Sequence, residues 1–461
     1  MSTAPALFAR RQGARRRRKA AALAARGAAG LAAPALFVGA LACGGDGLED
    51  LGEHPDDNVA LADSPALAHL AAAIDGGEQL TLVDVLRGED ELFSRPPDPS
   101  ALLELQRADQ DALPPLEDGV PLRVLSYNVG LLQRWYPFTV IEVPEIEHRR
   151  ARAPELLLAG DWDILLLQEV WEGADVDRFA AVAEDRGYAL YAGAGRSSHE
   201  RHGLLMLIRG DLIDSTKEQV QKDTPFRSQR GIEEFPGPGV VRSFLSWEFT
   251  LAGGGPRVRL YDVHTTAFPD FWRERAGQVR QLALDSREAG EETVVLVGGD
   301  LNAGPYYPVD AFGSSAADDD ALVDGWWGNA VMYAAILHYG GFRDVQLLAG
   351  RIDDKAGMDA LPPFSPGPYH QDPLGAPGSC DALPSGLFSA TDCNSLYFRQ
   401  YAGQEYPARI DYLLFRDSLE RVRVVDAALE YTAPLDFGAA GRFELSDHYA
   451  VGATLRLGAA P

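Results

Sequence analysis

Read for the spacing of apolar and polar positions, the chain changes character near Leu122. From there on, short apolar runs end repeatedly in small polar clusters. "LRVLSYNVG" closes on Asn128, and "DWDILLLQEVWE" runs from Ile164 to Leu167 before it delivers Gln168 and Glu169. "HGLLMLIRG" follows, then "VRLYDVHTTA", which ends in His264. "ETVVLVGGDLNAGP" carries Val294 to Val297 through Gly298-Gly299 into Asp300 and Asn302, and "ARIDYLLFR" carries Asp411. Near the end, Tyr449, Val451, Ala453, Leu455 and Leu457 alternate with Ala450, Gly452, Thr454 and Arg456, the period of a strand. Asp447 and His448 stand at the mouth of that strand. Amphipathic helical stretches lie between some of these runs, notably "FWRERAGQVRQLALDSREAG" ahead of the Asp300 strand. Strands interleaved with helices in this way predict an α/β sandwich.

The N-terminal part reads differently. Arg10, Arg11 and the run Arg15 to Lys19 precede "GAAGLAAPALFVGALA", which stops at Cys43. A basic segment followed by an apolar one of this length reads as an export signal over residues 1–43, too short and weakly apolar for a membrane span. "ALAC" with Gly44 resembles a bacterial lipobox, with Ala40 where a Leu is usual. The competing reading is secretion with cleavage near Ala42. The protein is thus expected to be an outer- or cell-membrane lipoprotein or a secreted one. Residues 44–117 are acidic and broken by Pro and Gly, with short helical patches at Leu67 to Ile74 and Ala101 to Leu113, and read as a tether. The remainder, 118–461, is the expected catalytic domain.

Composition narrows the partners. The 461 residues are 46% hydrophobic, enough to bury one large core or two medium ones. A formal net charge of −26 opposes binding of polyanions over a broad surface, because duplex DNA is held mainly by Lys and Arg on its phosphates. A nuclease stays open, since a bound metal supplies positive charge locally. Of the three cysteines, Cys380 and Cys393 bracket a loop that a disulfide can close, which leaves Cys43 for lipid.

Several polar residues have a chemical reading. Asp300 and Asn302 are two apart, so in an extended segment they would share a face and reach one ligand. Glu169 ends an aliphatic run, where an ionised carboxylate needs a cation or a dense set of donors, and a hard ion with oxygen ligands suits it. Asp411 shares a face with Leu413 and Phe415, so it points inward. An imidazole is the useful partner there, because the carboxylate would set its tautomer. Taken singly, each has a plainer reading: a turn at "GDLN", an exposed strand end at Glu169, a core histidine at His264, a turn at Asp447.

Their joint order is more specific. "LSYNV", "LLLQEV", "VHTTA", "GGDLNAGP", "RIDYLLF" and "LSDHYAV" together resemble the endonuclease/exonuclease/phosphatase superfamily from Leu122 to Leu457. That resemblance implies a four-layer α/β sandwich, two packed mixed β-sheets flanked by helices, with the active site at one edge. It implies Glu169, Asn128 and Asp447 as ligands of Mg²⁺, with Mn²⁺ or Co²⁺ as other candidates. It implies His448 as general base oriented by Asp411, Asp300 placing the attacking water, and Asn302 and His264 holding phosphoryl oxygens. The enzyme implied is a metal-dependent phosphodiester hydrolase.

Within the superfamily, the segments around Pro238-Gly239 and from "GGFRDV" to the Asp411 strand resemble neutral sphingomyelinases, which act as phospholipases C. Pro238 stands where those enzymes usually carry Lys, and "HTTA" replaces their His-Leu-Gln-Ala. The partner expected is a phospholipid or other phosphodiester, at a membrane surface, with nucleic acid the weaker choice. A secreted deoxyribonuclease-like enzyme is the alternative; Arg227, Arg230, Arg242, Arg273, Arg275 and Arg280 would then line its groove. A surface-anchored binding protein that has lost activity is the other. The segment 306–407 exceeds the family core, and its aromatics, among them Trp326, Trp327, Tyr333, Tyr339, Phe364 and Tyr369, suit either a core or a membrane-contacting loop.

Overall fold

A computed structural model describes residues 119–459 except 137–138, 196–201, 228–240, 268–271, 305–332, 351–387, 392 and 402–408; between 333 and 340 it describes 333, 336, 337 and 340, and upstream 113 and 116. The export signal with Cys43, the tether apart from residues 113 and 116, Pro238-Gly239, Cys380 and most of 306–407 lie outside the described residues. Along the chain the elements run β1 (Val120–Leu131), β2 (Gln133–Tyr136), β3 (Thr139–Glu142), α1 (Ile146–Leu158), β4 (Ile164–Val170), α2 (Gly173–Asp185), β5 (Tyr188–Tyr191) and β6 (Leu205–Arg209). There follow β7 (Val220–Pro225), β8 (Ser243–Thr250), β9 (Arg257–His264), α3 (Trp272–Arg287), β10 (Thr293–Asp300), β11 (Arg343–Asp344), α4 (Val345–Leu348) and α5 (Ser395–Tyr401). The last are β12 (Asp411–Arg416), β13 (Val422–Glu430), β14 (Leu435–Asp436), β15 (Arg442–Phe443) and β16 (Ala450–Leu457).

Two six-stranded sheets form, in the orders β13-β16-β1-β4-β6-β5 and β11-β12-β10-β9-β8-β7. Each is mixed for the same reason. β1 and β4 run parallel because α1 crosses between them, and β9 and β10 run parallel because α3 does. Their neighbours β16, β6, β8 and β12 are antiparallel.

Alternation along the central strands sorts side chains into three cores. Leu122 and Val124 of β1 and Ile164 and Leu166 of β4 meet Leu260, Leu296, Leu413 and Phe415 of the other sheet. The opposite faces, Leu125, Tyr127, Leu165 and Leu167, pack on Ala153 and Leu157 of α1 and Phe179 of α2. On the other side, Val295, Val297, Tyr412 and Leu414 pack on Val279 and Leu282 of α3. The expected four-layer sandwich is therefore present, and strands covered on both faces read as continuous apolar runs. Tyr333, one described aromatic of the long segment, lies in the core and donates its hydroxyl to Asp344.

The two glycines ahead of Asp300 have a packing cause. A Cβ at Gly298 would stand 2.5 Å from Leu166 Cδ1 of the facing sheet, and one at Gly299 would stand 2.0 Å from the Val263 carbonyl oxygen. Their absence of side chains lets the sheets, and then β9 and β10, close up at the edge where the polar clusters lie.

Candidate active site

Strand direction gathers the polar clusters. Asn128 and Glu169 lie towards the carboxyl ends of the parallel pair β1 and β4, and His264 and Asp300 end the parallel pair β9 and β10. Asp411 opens antiparallel β12 and His448 lies just before antiparallel β16, so both arrive at the same edge. The crevice beyond the carboxyl ends of parallel strands is where α/β sheets place their ligands. Register does the rest: His264 is opposite Asp300, and Asp300 is opposite Asp411.

Distances define a buried relay. His448 Nδ1 lies 2.8 Å from Asp411 Oδ2. Ligand-type atoms of Asp300, Asp411 and His448 all fall within 4.8 Å of one another. Asn128 Nδ2 donates to Asp300 Oδ2 at 3.0 Å, and His264 Nε2 approaches the same oxygen at 3.6 Å. Asp300 Oδ1 accepts the Asn302 amide at 2.9 Å. That last bond corrects one expectation: Asn302 does not continue an extended segment but turns to a left-handed φ of 47°, and its Nδ2 donates to the Thr265 carbonyl. The short Asp side chain captures the amide two residues on, which ends the strand.

Electrostatics follows from burial. Burial, then Asp447, pushes the Glu169 carboxyl up to about 7; burial, then Asp411, does the same for Asp300. Burial pulls His448 down, but Asp411, Asp300 and Asp447 outweigh it and hold its pKa well above the ordinary value. His264 is driven well below, by burial and then by Arg242 and His448.

These residues suit a divalent cation. Glu169 sits at a φ of 61°, a strained position for a residue with a side chain. Its partly open carboxylate receives no hydrogen bond from any described residue, although Asp447 repels it. Asp447 Oδ1 accepts only the Ser446 hydroxyl among described donors, at 3.1 Å. Asn128 Oδ1 accepts the Gly130 amide at 3.0 Å and keeps a second lone pair. Two carboxylates and an amide oxygen are donors for a hard ion. The tightest cluster of ligand-type atoms is nevertheless Asp300, Asp411 and His448, and there Asp300 already accepts donors on both oxygens.

The residues that support the site carry no motif along the chain. Arg149, fully buried on α1, donates to backbone carbonyls beside Asn128 and Asp447. Ser446 donates to the Asn128 carbonyl, Ser389 accepts the Asp411 amide, and Asn394 donates to the Ser446 carbonyl. Gln168 Nε2 reaches Asp262 Oδ1 at 2.7 Å across the two sheets. One signal existed: Ile146, Arg149, Ala153 and Leu157 follow helical spacing, so Arg149 occupies a core position.

Arg242, Arg275 and Arg280 are buried rather than lining a surface groove. Arg242 lies 6.0 Å from the Trp171 ring and acts electrostatically on Glu169 and His264. Arg275 donates to the Thr266 carbonyl.

Carboxylates and a carboxylate-paired imidazole gather at the shared edge of two packed mixed sheets, which is equipment suited to hydrolysis of a phosphoester bond. The chain belongs to the Endonuclease/Exonuclease/phosphatase family, whose model matches residues 125–448, and enzymes of that family are in the main dependent on divalent metals. No curated protein sequence matches the chain. Among solved structures it is similar to TDP2 of D. rerio complexed with a single-strand DNA product, with 17% identity, coverage of 73% of this chain and 98% of that one, and a TM-score of 0.47. It is similar to a family protein of Bacteroides thetaiotaomicron, with 15% identity, 74% and 99% coverage and a TM-score of 0.46. The human Nocturnin catalytic domain with bound sulfate gives 16%, 73% and 94%, and 0.41. At such scores the fold stands on the chain's own sheet order and crossovers.

Proposed function

We propose that the protein is a divalent-metal-dependent phosphodiesterase in which His448 takes the proton of the attacking water, and that its substrate is a sphingomyelin-like phospholipid. The observation that carries the catalytic part is the 2.8 Å contact of His448 Nδ1 with Asp411. It commits Nδ1 to the carboxylate and leaves Nε2 for the water. The water oxygen bonds to phosphorus opposite the leaving oxygen while its proton passes to His448 Nε2. The ester P–O bond then breaks, and the leaving alkoxide takes a proton from solvent, which gives an alcohol and a phosphomonoester.

Asp300, held by Asn128 and Asn302, orients the water. His264, kept neutral by burial, donates to a phosphoryl oxygen. Glu169, Asp447 and Asn128 Oδ1 would hold the ion, with Mg²⁺ the first choice. When bound, it supplies positive charge against the developing phosphoryl charge and cancels the repulsion between the carboxylates.

The lipid reading rests on three supports: the resemblance of the flanking segments to neutral sphingomyelinases, the net charge of −26, and the burial of three arginines that a DNA groove would need at the surface. Export belongs to the same reading. The same reading pairs Cys380 with Cys393 in an oxidising compartment and leaves Cys43 for lipid.

The test places sphingomyelin vesicles and supercoiled DNA side by side, with Mg²⁺ and then with EDTA. Release of phosphocholine that EDTA stops, with DNA intact, is the expected result. Nicked DNA with untouched vesicles would move the protein to the deoxyribonuclease-like alternative. No hydrolysis of either would favour a binding protein that has lost activity.

A further inference from the structure

Arg149 is fully buried, yet among the described residues its guanidinium makes no ion pair. Its five hydrogen bonds to described residues all go to backbone carbonyls. Nε donates to Pro144 at 2.9 Å, Nη1 to Val129 at 3.0 Å and to Leu445 at 3.2 Å, and Nη2 to Gly130 at 2.7 Å and to Val143 at 3.2 Å. Three separate stretches of chain are thereby tied to one planar group. Two of them bear directly on the site: Val129 and Gly130 follow Asn128, and Leu445 precedes Asp447 by two residues.

The contact between those stretches is close. Gly130 takes a φ of 57°, and a Cβ there would stand 2.4 Å from Asp447 Oδ1, 2.8 Å from Ser446 Oγ and 3.4 Å from Arg149 Nη1. The irregular stretch of β1 after Asn128 therefore lies directly on Asp447, and the guanidinium sits at the same junction. A rigid fork of donors can hold several carbonyls at set distances, which an ammonium on a flexible stem cannot.

We propose that Arg149 is a positioning residue for metal binding: it sets the spacing between Asn128 and Asp447 and so the affinity of the site for its divalent ion. This rests on the reading that Asn128, Glu169 and Asp447 hold that ion. Outer-shell partners that orient ligands are commonly worth 10- to 100-fold in metal affinity, so a loss of about tenfold or more is expected.

The experiment titrates Mn²⁺ into the purified full-length protein and follows the free-ion electron paramagnetic resonance signal, for wild type, Arg149→Lys and Glu169→Gln. Circular dichroism of the metal-free proteins reports folding. Glu169→Gln should abolish tight binding. Arg149→Lys keeps the charge but loses the fork, and should bind Mn²⁺ at least about tenfold more weakly, with hydrolysis restored at high Mn²⁺.

Wild-type affinity in Arg149→Lys, with binding lost in Glu169→Gln, overturns the proposal and leaves the metal reading standing. Unchanged binding in Glu169→Gln overturns the metal reading itself. Should Arg149→Lys not fold, Arg149→Gln keeps a planar pair of donors but loses the full fork: weakened Mn²⁺ binding by the folded variant supports the proposal, and unchanged binding overturns it.

Discussion

Replacing Glu169 by Gln should stabilise the metal-free protein while abolishing its metal binding. The cause is that Glu169 is ionised at a cost in the folded state. Burial and the neighbouring Asp447 raise its pKa from an ordinary 4.5 to about 7. A carboxyl whose folded pKa lies above its unfolded one favours the fold below pH 4.5, and that advantage is lost as the pH rises through about 7. At ~1.4 kcal/mol per pH unit, the penalty at pH 8 reaches about 3 kcal/mol. This is an upper figure, because one side of the carboxylate is open to screening by water.

The Glu169→Gln change keeps the shape of the side chain and removes its charge. With ~2 cal/mol/K of unfolding entropy per residue, 3 kcal/mol corresponds to about 4 °C in Tm for a domain of this size. The assay is thermal unfolding in EDTA at pH 4.5 and pH 8, then at pH 8 with Mg²⁺. The variant should melt higher than wild type at pH 8, match it at pH 4.5, and gain nothing from Mg²⁺. A variant that melts lower at pH 8, or has the same advantage at both pH values, would refute the reasoning.

Other expectations follow from the same geometry. Asp411→Asn removes the carboxylate that orients His448 and should lower kcat by about 10²- to 10⁴-fold with little change in KM, measured on whichever phosphodiester the wild type cleaves. In the metal-free protein the His448 imidazole should titrate well above the ordinary range, as Asp411, Asp300 and Asp447 outweigh burial; NMR of labelled histidine should show the pKa falling on adding Mg²⁺ and in Asp411→Asn. Because that folded pKa is raised, His448 stabilises the metal-free fold below its unfolded pKa, and the contribution is lost as the pH rises through the folded one. Gly299→Ala should cost about 3 kcal/mol or more in chemical denaturation, since its Cβ meets the Val263 backbone rather than a side chain that can move.

Much of the site was legible along the chain because strands expose their chemistry at their ends. Apolar runs covered on both faces are long and unmistakable, and the residue that follows each one lies at a sheet edge. Asn128, Glu169, His264, Asp300 and Asp411 therefore stand out at the ends of the runs that carry them, but it is the resemblance of their joint order to the superfamily that made them site candidates; the inward direction of Asp411 follows from its alternation with Leu413 and Phe415. Asn302 could not be placed, because the left-handed turn that redirects it depends on a hydrogen bond to Asp300 rather than on the spacing of residue types.

What the sequence by itself determined is the kind of element and the kind of chemistry at its end, since both follow from local alternation and residue type. Tertiary structure decided which ends meet. The opposition of His264, Asp300 and Asp411 is a matter of strand order, and the contact of His448 with Asp411 joins residues on different sheets. Tertiary structure also decided charge state and support. Helical spacing puts Arg149 on the core face, but only tertiary structure supplies the three stretches of chain whose carbonyls receive its guanidinium, and a glutamate reads as ionised until burial and a second carboxylate raise its pKa. Those effects act through space over a few ångströms, and distance along the chain carries no record of them.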